Sequence, residues 1–407
     1  MSPMISVEEA LKRVLASAET LLGEEIVALS IGYGRVLAHD IKALRTQPPF
    51  ANSAMDGYAL RAADTAPPAT LTVIGESAAG RAFEGAVGRG QTVRIFTGAP
   101  IPAGADAVVI QEKVGREGDR IRLSTAASPG DNLREAGRDF RTGDPLIEAG
   151  RRLTPRDVAL AAAANHTALA VRRQARVAIL ATGDELVAPG GAPGPAQIIA
   201  SNNFAVAGIV EACGGIPIDL GIAADDLGAL TAAIARAREA GADVLVTLGG
   251  ASVGDHDLVQ QALVSAGMEL GFWRIAMRPG KPLMHGKLGA MRVLGLPGNP
   301  TSSMVCATLF LRPLLRALHG EKDPDLSERP ARLAVDLPMN GPRQDYMRAV
   351  FSRGPDGVLM AAPVADQDSS LVKTMARAEG LIVRPPHAPP AKAGAPCRVI
   401  LLDGLGG

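Results

Sequence analysis

The sequence predicts a multi-domain chain of class α/β plus β. It has a central doubly wound, parallel-type α/β sheet domain, a small β module inserted in a helical N-terminal domain, and a small β-barrel-like domain at the C-terminal end. Three observations point that way. From about residue 174, apolar strands alternate with helical patterns, as in a parallel sheet covered by helices on both faces. Residues 50–140 show short β-like runs separated by Gly, Pro and Asp, with helical character on either side. After the polar, proline-punctuated stretch Glu321 to Pro330, short strands resume. The 407 residues allow roughly two to four domains. The expected bounds are 1–47 with 141–173 (helical), 48–140 (inserted β), 174–327 (α/β) and 328–407 (C-terminal β).

In order along the chain, residues 6–22 read as a helix, because Ser6 and Glu9 make a capping box and Val7, Ala10, Leu11, Val14, Leu15 and Ala18 repeat at helical spacing. Leu71–Gly75, Thr92–Thr97, Ala107–Gln111 and Arg120–Leu123 read as the strands of the inserted module. Thr154 to Ala164 is helical again. Arg176–Ala181 is an apolar strand, 202–213 a helix, Pro217–Ile222 a strand, Leu227–Ala240 an Ala-rich helix and Asp243–Leu248 a strand. A helix from Pro300 to His319 starts with Asn299 able to cap and Pro300 at the first helical position. Arg332–Leu337, Tyr346–Ser352, Gly380–Arg384 and Cys397–Leu401 are the C-terminal strands.

Composition excludes several functions. Apolar residues make up 47% and aromatics only 3%, so the cores are built from Ala, Val, Leu and Ile. Lys plus Arg (42) equals Asp plus Glu (42), so there is no basic excess for nucleic acid or anionic lipid. Cys213, Cys306 and Cys397 are far apart, with no CxxC or Cys/His cluster, which argues against zinc or iron–sulfur and fits reduced thiols. No apolar run approaches the roughly 20 residues that span a bilayer. The first 25 residues are too acidic for a signal peptide, so a soluble, cytoplasmic protein is expected.

The chemistry concentrates between Leu248 and Thr301. Three glycine-rich turns lie there: Gly249 to Asp257, Arg278-Pro279-Gly280-Lys281-Pro282, and Gly295 to Thr301. Such turns at strand ends suit a phosphate or other oxyanion. Asp184 and Glu185 follow a strand directly; one can face the crevice as a cation ligand, while Asp184 can equally cap a helix. Asp225 and Asp226 share the same sheet edge, and a capping role fits them equally. Asp255 and Asp257 follow the Gly-Gly turn; Mg²⁺ takes carboxylate oxygens plus substrate phosphates, and Asp257 with Glu185 could supply them, the alternative being a solvated turn. Arg274, Arg278 and Lys281 suit an oxyanion, since guanidinium forks bidentately and Lys adds a point charge. Trp273 could stack on a heterocycle or pack between domains. Asp56 and Asp139 sit in Asp-Gly-type turns that need no function. No nucleophilic triad is discernible.

Six segments occur in order: Asn52 to Ala59, Thr97-Gly98-Ala99-Pro100, Thr182 to Leu186, Gly249 to Asp257, Pro279 to Pro282, and Gly295 to Pro300. With this set the chain resembles, over its whole length, the molybdopterin molybdenumtransferases, the prokaryotic counterpart of the gephyrin E domain. The resemblance implies insertion of molybdate, as substrate, into the dithiolene of adenylyl-molybdopterin, with Mg²⁺-supported hydrolysis that releases AMP. It implies an elongated homodimer with its active site where subunits meet, and a transfer contact with a molybdopterin adenylyltransferase. By position it makes Asp56, Asp139, Glu185, Asp225 and Asp257 the acidic catalytic set, with Glu185 and Asp257 on the metal. Thr97, Ser252, Arg274, Arg278, Lys281, Pro297, Pro300, Arg348 and Ser369 would then line the substrate site. The family carries Lys where this chain has Arg274 and Arg278, which keeps the charge but changes donor geometry. Two other readings are a molybdopterin adenylyltransferase, which needs only the central domain, and a non-catalytic pterin-binding scaffold. Formation of adenylyl-molybdopterin from MgATP would mark the first, and peptide capture without turnover the second.

Overall fold

The computed structural model describes residues 4–19, 21–250, 258–324 and 326–402. Helix α1 (Val7–Ala16) starts where Ser6 Oγ accepts the Glu9 N–H at 3.1 Å, but the Glu9 carboxylate turns to Arg13 at 2.7 Å, so the expected box is half made. The helix also stops at Ala16 rather than 22, and the Leu22 N–H donates to the Leu318 carbonyl. Its buried face, Val7, Ala10 and Val14, joins the core of Leu314, Leu315 and Leu318, so α1 packs with the α/β layer and not with the N-terminal domain it was grouped with.

That N-terminal domain is also less helical than expected. Its core of Val27, Leu37, Ile41, Leu153, Leu169 and Val171 is framed by antiparallel pairs, Glu24–Ala28 with Ala168–Arg172 and Ile41–Lys42 with Pro145–Ile147. The helix α2 (Pro155–Ala163) closes it, capped by a reciprocal Thr154–Asp157 box. β-branched Ile26 and Val27 suit a pleated surface, which explains the first pair. The inserted module is a six-stranded sheet in the order Ala107–Ile110, Gly57–Leu60, Gln91–Ile95, Ala69–Ser77, Arg120–Leu123, Val114–Glu117.

The central layer contains β1 (Arg176–Thr182), β2 (Ile216–Ala223), β3 (Val244–Leu248), β4 (Glu269–Trp273), β6 (Met284–Leu288) and β7 (Met291–Leu296), in the order β2-β1-β3-β7-β6-β4. The short strand β5 (Met277–Arg278) lies between β4 and β6 in the chain. The first four strands of that order run parallel, and β6 and β4 complete the edge antiparallel. Alternation divides the strands between two cores. Val177, Ile179, Val244, Val246, Leu294 and Leu296 face α3 (Asn202–Ala212) and the final helices, while Ala178, Leu180, Leu245 and Val293 face α4 (Leu227–Glu239) and α5 (Leu258–Ser265).

The helix expected from Pro300 to His319 is interrupted. It runs as α6 (Pro300–Cys306), a wide π turn (Ala307–Leu311) and α7 (Arg312–Leu318). Pro313 lacks an N–H and its ring would press on the carbonyl four residues back, so a wide turn there accommodates it. Beyond it, β8 (Arg329–Leu333), β9 (Gln344–Arg353), β10 (Leu359–Pro363), β11 (Gly380–Arg384) and β12 (Pro396–Leu401) close into a five-stranded barrel through β9–β11 pairing. The short helix α8 (Val372–Arg377) precedes β11. β5 adds to β9 in parallel and so splices the central layer onto the barrel. Among the described residues, no helix is long and apolar enough to cross a membrane.

Two buried histidines lie within the α/β layer. His319 Nε2 accepts the Ala175 N–H at 3.1 Å, and His285 stacks on Phe272 with ring centroids 5.4 Å apart. Burial pushes His285 down to about 4 and His319 down to about 3, with Lys287 and Arg152 adding to it. Both therefore stay neutral when folded, while the unfolded chain takes up protons near its ordinary value of about 6.5. Stability is then full above that value and falls as pH drops toward the folded values, by about 1.4 kcal/mol per pH unit for each histidine. His319→Gln, which keeps an acceptor for Ala175, is expected to flatten the fall in urea midpoint between pH 6.5 and 5. An unchanged slope would show that this histidine is not the group responsible.

Candidate active site

The carboxyl ends of the parallel strands make one crevice edge. After β1, Gly183 has φ +141, and a Cβ there would run into the Glu185 carboxylate, which folds back over it. Asp184 does not cap a helix; its Oδ1 accepts the Asp225 N–H at 3.1 Å and so joins the turns after β1 and β2. Asp226 takes the capping role on α4, with Oδ1 accepting the Ala229 N–H at 2.9 Å. Asp225 and Glu185 are left as exposed carboxylates on this edge, with no side-chain partner among the described residues. Gly249, at φ +100, brings β3 against β1, since a Cβ there would lie 2.7 Å from the Thr182 carbonyl. Its N–H donates to Leu296 O at 3.1 Å, which places buried Pro297 and half-buried Pro300 on the same edge. Ser252 and Asp257 lie outside the described residues. Among the described residues, no group of three or more His, Cys, Asp or Glu is disposed to hold a metal ion.

The cations hang from the β4–β6 side of that edge. Arg274 has φ +117, a strained value for a non-glycine residue, costing about 1–3 kcal/mol. Its guanidinium carbon sits 5.0 Å from the centre of the Trp273 ring, so the lone tryptophan carries a cation on one face while packing against the second core. Lys281 is half-buried, and its carbonyl accepts the Ile275 N–H. Arg278 donates through both Nε (3.1 Å) and Nη2 to Asp345 Oδ2 on β9; the Asp345 side chain is 6% exposed and that of Arg278 57%. Hydrogen bonding to Asp345 raises the Arg278 pKa above its usual value.

The barrel roofs this side. Arg348 is fully buried; its Nη2 donates to the carbonyls of Asp366 (3.5 Å) and Asp368 (3.3 Å), while Nε and Nη1 have no partner among the described residues. Burial lowers its pKa, and Asp345, Asp366 and Asp368 oppose that. Gln367 clamps the Arg348 backbone, accepting its N–H and donating to its carbonyl, both at 3.0 Å. Ser369 faces the α/β layer: its Oγ accepts from Asn299 Nδ2 at 2.9 Å and its carbonyl accepts the Thr301 N–H. Asn299 therefore stands at the helix start without capping it through its side chain. Ser370 instead donates to Asp368 Oδ1.

The remaining expected residues sit apart. Asp56 Oδ1 accepts the Thr97 N–H (2.7 Å) and hydroxyl (2.8 Å), which holds its carboxyl below the usual range, within the inserted module. Asp139 is exposed where that module rejoins the N-terminal domain, its N–H donating to Gln47 O. Sequence reasoning missed Asp345 and Asn299 as site partners. The local signal was a lone acid three residues before Arg348 in a predicted strand. A cavity of about 900 Å³ also opens between the N-terminal domain and the α/β layer, but Arg152 and Arg316 there converge on buried Glu321 at 2.6 and 2.9 Å, as a structural cross-link.

Gly280, at φ +100, packs on the buried Cys306, and a Cβ there would strike Cys306 Sγ. Gly280→Ala is expected to lower unfolding stability by ~1–3 kcal/mol, read as the urea midpoint. Cys306→Ala in the same background should recover only part, because the backbone strain persists. Full recovery would show that the collision alone mattered.

Comparison with known proteins places this geometry. Residues 5–165 match the family described as MoeA N-terminal region (domain I and II), residues 178–317 the probable molybdopterin binding domain, and residues 330–402 the MoeA C-terminal region (domain IV). A molybdopterin molybdenumtransferase of Haemophilus influenzae is 34% identical over 385 residues, covering 93% of this chain and 94% of its own length. One of Bacillus subtilis is 35% identical over 408 residues, covering 98% and 94%. The solved molybdopterin biosynthesis moeA protein of Pyrococcus horikoshii matches with TM-score 0.85 and 28% identity, over 98% of this chain and 100% of its own. The chain belongs to the MoeA family of molybdopterin molybdenumtransferases, transferases of molybdenum cofactor biosynthesis.

Proposed function

We propose that the chain inserts molybdate into the dithiolene of adenylyl-molybdopterin and releases AMP. The observation that carries this reading is Arg348: a fully buried guanidinium with two nitrogens unpartnered among the described residues, on the strand whose Asp345 anchors the exposed Arg278. Leaving donors of a buried cation unmet is costly, so such a group suits a tetrahedral dianion. Arg274, Arg278, Lys281, Arg348 and Ser369 would hold molybdate and substrate phosphate, with Thr97, Ser252, Pro297 and Pro300 shaping the site. Matches across 5–165, 178–317 and 330–402 favour transfer over adenylylation, which needs only the central domain.

The exposed carboxylates of Glu185 and Asp225 fit a hard cation, because Mg²⁺ needs only one or two carboxylates beside substrate phosphates and water. Glu185 with Asp257 would hold it. A Mg²⁺ held there would supply positive charge against the phosphoanhydride and the leaving AMP. The protein's share is positioning: cations orient the oxyanion, and the glycine turns let backbone approach the ligand closely.

The site is proposed to be shared between two copies. Asp56 and Thr97 bond to each other rather than to the sheet edge, and the exposed Ile26, Ile31 and Tyr33 of the N-terminal domain suit a subunit contact. A second copy would bring Asp56, Thr97 and Asp139 to the crevice. Delivery of substrate by a molybdopterin adenylyltransferase is part of the same reading. The free cysteines Cys213, Cys306 and Cys397 fit a reducing compartment, and a cytoplasmic reaction is part of this proposal.

Glu185→Ala should cut Mg²⁺-dependent AMP release by on the order of 100-fold or more, with the circular dichroism spectrum unchanged. Wild-type turnover in that variant removes Glu185 from the metal. Co-expressing Asp56→Ala with Glu185→Ala chains should restore about a quarter of the wild-type rate, because half the dimers would hold one intact site of two. Mixed chains no faster than either variant alone would mean that each site is built within one chain.

A further inference from the structure

Asp345 belongs to none of the glycine-rich turns, yet it is the buried partner of Arg278. Parallel pairing of β5 with β9 fixes Arg278 directly opposite it. Arg278 spends one edge of its guanidinium, Nε and Nη2, on a single carboxylate oxygen, Asp345 Oδ2. The carboxylate is 6% exposed and the arginine 57%, and Nη1 makes no hydrogen bond among the described residues. Arg348 lies three residues further along β9, where alternation turns its side chain to the other face of the strand, onto the carbonyls of Asp366 and Asp368. From below, Gly280 against Cys306 holds the loop that follows Arg278.

A free arginine on a loop would lose its rotamer freedom on binding an anion. Here that freedom is already restricted before the anion arrives. We propose that Asp345 is a positioning residue for the oxyanion: it holds Arg278 by one edge so that the other edge is presented to a tetrahedral dianion. This rests on the reading of the site as one that binds molybdate. The opposing effect is repulsion, since a carboxylate near an anion weakens binding. Asp345 is, however, already engaged by two N–H groups of Arg278, so its charge is largely compensated. The two effects predict opposite signs when the charge is removed.

The test is calorimetric titration of sodium molybdate and sodium tungstate into the full chain, for the wild type, Asp345→Asn, Arg278→Ala and the double variant. Positioning predicts that Asp345→Asn weakens binding about tenfold. It also predicts that the double variant stays within about twofold of Arg278→Ala, because Asp345 acts through Arg278. In turnover, KM for molybdate rises while kcat changes less than about twofold. Binding by Asp345→Asn as tight as or tighter than wild type, or losses that add in the double variant, overturns the proposal. Should Asp345→Asn fail to fold by circular dichroism, Asp345→Glu takes its place. Its longer carboxylate shifts the guanidinium and should weaken binding several-fold; wild-type affinity there overturns the proposal equally. A wild-type chain that binds neither oxyanion overturns the functional reading, and this inference with it. A wild-type chain that binds them while Asp345→Asn is unaffected overturns this inference alone.

Discussion

Met277 and Arg278 run parallel to Gln344 and Asp345, and through those two residues the central sheet is joined edge-on to the C-terminal barrel. The stretch between β4 and β6 is thereby held at both ends, and every cation on it inherits a fixed place. Arg278 meets a buried carboxylate, Arg274 rests on Trp273, and Gly280 is pressed onto Cys306. The same junction brings the barrel loop 366–370 over the start of α6, where Ser369 meets Asn299 and Thr301. Without the splice, two arginines and a lysine would be an ordinary solvated face.

The crevice is divided by charge. Carboxylates come from the ends of the parallel strands, and cations from the antiparallel edge and the barrel. Fully buried Arg348 is the costly member, because desolvating a guanidinium is unfavourable unless partners replace water. The carbonyls of Asp366 and Asp368 and the neighbouring carboxylates offset part of that cost, and two nitrogens have no partner among the described residues. Carboxylates and cations on different parts of one edge are what the proposed substrate, with a phosphoanhydride and a separate oxyanion, would need.

What sequence could foresee follows the range of the interactions involved. The strands Arg120–Leu123 and Gly380–Arg384 and the helix starting at Leu227 stand where apolar periodicity and a capping Asp put them, because those signals are local. The α1 helix ended early because Leu22 is drawn to the carbonyl of Leu318, almost three hundred residues away. Asn299 was read as a cap because cap chemistry is local; its actual partner, Ser369, lies in another domain. The cations Arg274, Arg278 and Lys281 were visible as a run beside a Pro-Gly turn. Asp345 was not, because its role depends on strand register, which no spacing rule within either segment reveals. Asp56 and Asp139 were identified by resemblance alone, and in the single chain they bond within their own surroundings.

The most direct test is a time course of AMP release from adenylyl-molybdopterin by the purified chain with Mg²⁺, with and without micromolar molybdate. Release that depends on molybdate, with the pterin product carrying molybdenum, is the predicted result. Release at the same rate without any oxyanion, or none at all while the pterin stays tightly bound, would contradict the account.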